Sequence, residues 1–216
     1  MVKMICMANS WRPGGRCVAG IDIETGEWIR PVLRDQNAIP EGATVFGNHP
    51  LEPLDVIEMD LAAPKYKTRF QKENRIITSE QWAHVDRVTA DDVLQYCSDN
   101  WNVLHSSAKV VKPDVLEIKP PDEWTSLELR RVADVTFEPD DRKENRWKAM
   151  FRTGAISASN YSLSLTDPIA TERLNEGEDL DGEWLLTLSL TEPIAMPQYG
   201  LPELCYKLVA AAIPLE

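Results

Sequence analysis

The chain is short of positive charge: 23 lysines and arginines stand against 35 aspartates and glutamates, a net charge of −12. That balance excludes a generic polyanion binder whose whole surface attracts nucleic acid. Long apolar runs are missing as well, and none reaches the roughly 18 residues that a membrane-spanning helix requires. Cysteine is sparse: Cys6, Cys17, Cys97 and Cys205 are widely scattered and form no CxxC pair. This excludes a disulfide framework and a zinc ribbon, and it reads as free, buried thiols in a reducing cytoplasm. The three histidines, His49, His84 and His105, fall into no HxH or HExxH spacing. No GxSxG elbow, Walker loop or GxGxxG turn occurs. Asp22 and Glu24 share a strand face beside a turn, an ordinary place for solvated acids. No catalytic residue, no metal and no cofactor are therefore expected.

What is present is strand signal. The opening Met1–Ala8 stretch is apolar but short and runs straight into Asn9-Ser10-Trp11-Arg12 without a cleavage site, so it reads as a first strand and not a signal peptide. Trp11 to Gly15 reads as a loop by its breakers. Arg16–Glu24 and Glu27–Val32 are two β-rich arms around a Thr25-Gly26 turn, a hairpin pattern. Residues 34–53 are loop-like, and Asp55–Leu61 alternates as a strand. Thr78–Gln81 and Thr89–Asp92 both resemble helix starts, which places a short helical segment at 78–106. Val110–Ile118 reads as an irregular strand around Pro113. Pro120-Pro121-Asp122 is the best boundary. Beyond it, Leu127–Phe137, Asn145–Phe151, Asn160–Thr166, Glu183–Thr191 and Cys205–Ile213 carry strand patterns, the last apolar on both faces and hence buried.

One word occurs twice. Leu163-Ser-Leu-Thr-Asp-Pro-Ile-Ala170 returns as Leu188-Ser-Leu-Thr-Glu-Pro-Ile-Ala195. In each copy the leucines share one face and the hydroxyls the other. The acid-proline ending reads as a strand end leading into a turn.

Seven tryptophans are an unusual share, and some stand beside cations. Trp11 and Arg12 lie in the first loop, and Arg16 opens the second strand. Trp28 and Arg30 lie two apart, so on a strand they share a face. If that face is buried, Arg30 requires an acidic partner. Lys65, Lys67, Arg69, Lys72 and Arg75 form a local basic segment with only Glu73 inside it. Arg142, Lys143, Arg146, Lys148 and Arg152 form another around Glu144. Alternation puts Arg146, Lys148 and Met150 on one side of a strand and Trp147, Ala149 and Phe151 on the other. Aromatic platforms beside basic side chains are what a single-stranded nucleic acid needs: a base stacks while a guanidinium takes a phosphate.

Several of these strings carry a resemblance: Cys6 with Asn9-Ser10, Gly15–Asp22, Gly26-Glu-Trp-Ile-Arg-Pro-Val32, Leu188–Pro193 and Cys205–Ala211. Together they resemble the bacterial dual OB-containing domain family. The resemblance implies two tandem OB-like small β-barrels and a role in binding nucleic acid or nucleotides. It also implies an accessory or sensor role in a bacterial defence system. The expected fold is mostly β with a short helical segment. Residues 1–120 form the first barrel with the 78–106 insertion, and residues 121–216 the second. The expected function is a non-catalytic nucleic-acid or nucleotide binding module that favours single strands, with no membrane partner. A protein–protein interaction adaptor is the alternative, and a metal-dependent nuclease the third reading. The candidate contact residues are Trp11, Arg12, Arg16, Trp28, Arg30, Lys65, Lys67, Arg69, Arg146, Lys148 and Arg152.

Overall fold

A computed structural model describes residues 1–35, 37–64, 69–79, 82–141, 143–153, 159–197 and 200–215, with 63 and 64 described by their backbone alone. The described residues of the first half hold nine strands: β1 (Val2–Arg12), β2 (Gly15–Asp22), β3 (Trp28–Val32), β4 (Val45–Phe46), β5 (His49–Pro50), β6 (Asp55–Met59), β7 (Leu61–Pro64), β8 (Asn74–Ile77) and β9 (Ala83–Arg87). Seven of them form one curled sheet in the order β7-β8-β3-β2-β1-β6-β9. β6 bonds to β1 while β7, one residue further on, bonds to β8 across the curl. Chain continuity at Asp60 thus joins the two flanks. Met4, Cys6, Val18, Ile29, Ile57 and Met59 point inward and form the core of this barrel. Gly20 also faces in, where a Cβ would strike the Ile5 carbonyl and the Met4 side chain. Gly26, at φ +72°, makes the turn of the expected β2–β3 hairpin.

The second half is a closed ring. Its strands are β10 (Val110–Val111), β11 (Leu127–Pro139), β12 (Trp147–Thr153), β13 (Ser159–Leu165), β14 (Gly182–Leu190), β15 (Ile194–Met196) and β16 (Leu201–Pro214). The ladders run β11–β12–β13–β16–β14 and back to β11. Only β13 and β16 pair in parallel. Leu163, Leu165, Trp184, Leu186, Leu188, Ala149, Phe151 and Tyr161 fill this barrel. Among the described residues three α-helices lie off the sheets: α1 (Ala90–Val93), α2 (Pro113–Glu117) and α3 (Pro168–Asn175), the last between β13 and β14. Five antiparallel-dominated strands with a helix after the third form the OB-like barrel that the resemblance implied.

Some local expectations change. Residues 83–87, inside the stretch read as helical, form β9 beside β6. The Thr89 start is a helix, closed by a capping box with Asp92, but it spans one turn. Val110–Ile118 is not a strand throughout: Pro113 opens α2, because a missing N–H does no harm at the first helical position. The loop at 11–15 shrinks to Pro13 and Gly14, since β1 runs on to Arg12.

The barrels pack sheet on sheet. The outer faces of β1, β2 and β3 meet the outer faces of β11, β14 and β16. Ile5, Met7, Ile21, Leu129, Leu185 and Ile213 form one shared cluster. Ala8, Ala19, Ala210, Ala211 and Leu127 form a second, where small side chains let the sheets come close. Met7 is the extra residue of a β-bulge, and its carbonyl accepts a hydrogen bond from Thr187 Oγ1 at 2.7 Å. Such a buried bond contributes about 1 kcal/mol. The β1 end is stitched on by Trp11 N donating to Thr166 O at 2.8 Å.

Candidate nucleic-acid interface

The expected pair Trp28 and Arg30 does share a face, and that face is the barrel–barrel contact. Trp28 is half-buried against both shared clusters. Arg30 is 1% exposed. Its Nη1 donates to Ser126 Oγ at 3.0 Å and its Nη2 to Ser189 Oγ at 3.3 Å. Ser126 in turn donates from Oγ and from its backbone N to the Glu73 carboxylate, at 2.9 and 2.8 Å. The acid that a buried arginine requires is thus Glu73, reached through a serine of the other half. Arg30 N also donates to Glu73 O at 2.9 Å. A cleft of about 370 Å³ opens beside this network, lined by Trp11, Arg12, Cys17, Arg30, Gln71 and Thr191 among others.

The open surface lies elsewhere. Along β12 the inward residues are Ala149 and Phe151, as alternation predicts, and Lys148, Met150 and Arg152 face out. The register sets them opposite Ser164, Ser162 and Asn160 of β13. The outer β12–β13 face is therefore a strip of hydroxyls, an amide and two cations. At its end the Arg146 guanidinium lies 4.2 Å from the centre of the Trp11 ring, a cation–π contact that joins the two barrels. Trp147, on the inward side, donates from Nε1 to Asn175 Oδ1 at 2.8 Å.

Electrostatics grade these cations. Lys148 is tied to Asp140 at 2.8 Å. Arg12 meets Glu192 at 3.6 Å. Arg16 is paired with Glu41, and Arg69 with Glu117 and Glu203. No carboxylate among the described residues lies within ion-pair distance of Arg146 or Arg152. Lys65, Lys67 and Arg142 lie outside the described residues. The structure thus brings Trp11, Arg146, Lys148 and Arg152 toward one side. Arg12 and Arg30 line the adjoining cleft with Trp11, Arg16 lies opposite Trp11 in the β1–β2 ladder but is held by Glu41, and Arg69 is tied to Glu117 and Glu203.

The repeated word has two fates. In the first copy Ser164, with Ser162 just before it, faces the open strip, and Asp167 turns inward to cap α3, accepting from Ile169 N at 2.9 Å and Ala170 N at 3.3 Å. Burial pushes the Asp167 carboxyl up from its ordinary value, against the pull of these amides. In the second copy Ser189 faces the barrel–barrel contact, and Glu192 meets Arg12.

Residues 2–212 match the family model described as a dual OB-containing domain. The chain belongs to the dual OB-containing domain family. The resemblance of the end motifs thus extends over nearly the whole chain, including the middle that those motifs leave unmatched. Neither the search of curated proteins nor that of solved structures finds a match. In this dual OB-containing protein the second and third strands of the second barrel are β12 and β13, and in OB folds generally it is the face of these two strands that binds oligonucleotides and oligosaccharides. The fold is of the nucleic-acid-binding type. No described helix is long and apolar enough to cross a membrane.

One further constellation escaped the sequence. His49 Nε2 lies 2.9 Å from Asp55 Oδ2, and His84 Nε2 lies 3.3 Å from Asp55 Oδ1. The imidazole rings meet edge to face at 5.0 Å. Asp55 is fully buried. Burial alone would raise its carboxyl, but bonds from the Glu52 amide, His49 and Arg87 outweigh that and hold it below the ordinary range. The spacing 49, 55, 84 matches no short motif, so no local pattern could have signalled it.

Proposed function

We propose that this protein binds single-stranded nucleic acid on the outer β12–β13 face of its second barrel, with the strand running toward Trp11 and the inter-barrel cleft. The observation that carries this reading is the Trp11–Arg146 contact at the end of an open strip bearing Arg152, Lys148, Ser162 and Ser164. A base stacks on the indole, worth about 1–3 kcal/mol. Arg146 and Arg152, with no carboxylate at ion-pair distance among the described residues, meet phosphates, and the β13 hydroxyls bond to sugar or phosphate oxygens. No step of this requires catalysis by the strip. An accessory place in a bacterial defence system is part of this reading and rests on no residue of the site.

The net charge of −12 sharpens the expectation. Only a few phosphates are neutralised, so the salt dependence is shallow: two or three contacts give a log–log slope of roughly −1.4 to −2.1 on single strands. Titration of an oligothymidine into the protein, read by quenching of the intrinsic tryptophan fluorescence at several salt concentrations, tests it. A triple variant Trp11→Ala, Arg146→Ala, Arg152→Ala loses binding while keeping its circular dichroism spectrum. Binding by the folded triple variant equal to that of the wild type overturns the assignment, as does no salt-dependent binding by the wild type.

A further inference from the structure

We infer that His49, Asp55 and His84 form a binding site for a divalent transition-metal ion of the zinc class, at one end of the first barrel and apart from the β12–β13 strip. Two imidazole nitrogens and a carboxylate are the donor set that such ions favour. Bonds of about 2.0–2.2 Å to a tetrahedral ion put ligand atoms roughly 3.3 Å from one another. Here the two His–Asp separations are 2.9 and 3.3 Å, and all three ligand atoms lie within 4.8 Å of one another. Small side-chain adjustments therefore suffice to close the set around one ion, with the remaining position left to water.

The backbone builds this convergence. His49 comes from the β4–β5 hairpin, Asp55 opens β6, and His84 lies on β9. In the β6–β9 ladder Asp55 pairs with Arg87, but Ile57 pairs with His84, with a register shift between them. That irregularity brings both His84 and Arg87, three residues apart, to the side of the sheet where Asp55 lies; a regular strand would turn one of them away. Phe46 packs against the His84 ring at 6.3 Å and limits its swing.

Arg87 is the competitor. Its Nη1 lies 2.6 Å from Asp55 Oδ1, where a metal ion would bind. It also lies 3.5 Å from Glu52, so a second carboxylate receives the guanidinium when the ion takes Asp55. The histidines are open to solvent, with side-chain exposures of 43% and 31%, which gives an ion a path in.

The test uses the full chain stripped with a chelator. Zn²⁺ is titrated against a chromophoric competitor, and Co²⁺ is added separately to read the visible absorption of a four- or five-coordinate site. One equivalent should bind with a dissociation constant in the micromolar range or below, and raise the melting temperature. His49→Ala and His84→Ala should each weaken binding at least tenfold, and Arg87→Ala should tighten it by removing the competitor. Partly exposed histidines tolerate truncation, and His84→Gln provides a conservative second variant should His84→Ala fail to fold. A wild-type chain that takes up no stoichiometric Zn²⁺ overturns the proposal. So does undiminished binding by the folded histidine variants, which would place the ion elsewhere. Oligothymidine binding by the His49→Ala chain separates this site from the nucleic-acid reading, since neither depends on the other.

Discussion

The two barrels share a strand plan and put the same face to opposite uses. In the first, the outer side of the second and third strands carries Cys17, Ala19, Ile21, Trp28 and Arg30, and most of it is pressed against the other barrel. In the second, the equivalent side carries Lys148, Met150, Arg152, Asn160, Ser162 and Ser164, all of them partly or fully exposed. The residues follow the use. Alanines and a bonded arginine suit a close, dry contact; hydroxyls and an exposed arginine suit water and phosphate. An OB-like face is thus a location and not a function, and burial decides which of two equivalent faces remains free for a ligand.

That contrast can be broken by experiment. The largest effect is expected at Arg30. Arg30→Met strands Glu73 in the contact and should cost about 3–5 kcal/mol in urea unfolding; a chain of wild-type stability that binds oligothymidine more weakly would mean that this face is open after all. Next comes the indole on the open side. Trp11→Ala should weaken oligothymidine by about 1–3 kcal/mol, roughly 5- to 150-fold, while Trp28→Phe should leave it within about twofold. A matched pair of insertions then compares the faces directly. Ala19→Leu overfills the contact and should destabilise by about 1–3 kcal/mol. Ser162→Leu, at the equivalent open face, should stay within about 0.5 kcal/mol in the same unfolding measurement. The smallest effect is a slope: Arg152→Ala should make the salt dependence of oligothymidine binding shallower by about 0.7, the share of one phosphate.

Much of this plan was legible in the sequence where a local rule decides. Thr25-Gly26 marked the β2–β3 hairpin, alternation sorted β12 into an apolar and a basic side, and the apolar Cys205–Ile213 run read as buried because β16 has a barrel on both sides. Two prolines did more than expected. Pro113 read as a break within a strand and Pro168 as part of a strand end leading into a turn; β13 does end just before Pro168, but each proline takes the first position of a helix. β9 was missed because its residues are mostly exposed and it exists by pairing with β6 alone. The use of Trp28 and Arg30 was half legible: the sequence required an acid for a buried Arg30, but Glu73 sits inside the segment that had been read as basic surface. The His49–Asp55–His84 convergence depends on a register shift, and no spacing in a linear chain encodes one.

The contact between barrels also sets a timetable. β3 ends at Val32, and β16, which supplies Ala210, Ala211 and Ile213 to the contact, begins at Leu201. At 5–20 residues per second of synthesis, roughly 8–34 s separate the two. Until β16 emerges, Ile5, Met7, Ile21 and Trp28 lie on a completed hairpin whose partner sheet is incomplete. The nascent chain therefore carries an apolar surface that β16 must finish covering, and it is in that window that chaperone capture or aggregation would compete with assembly.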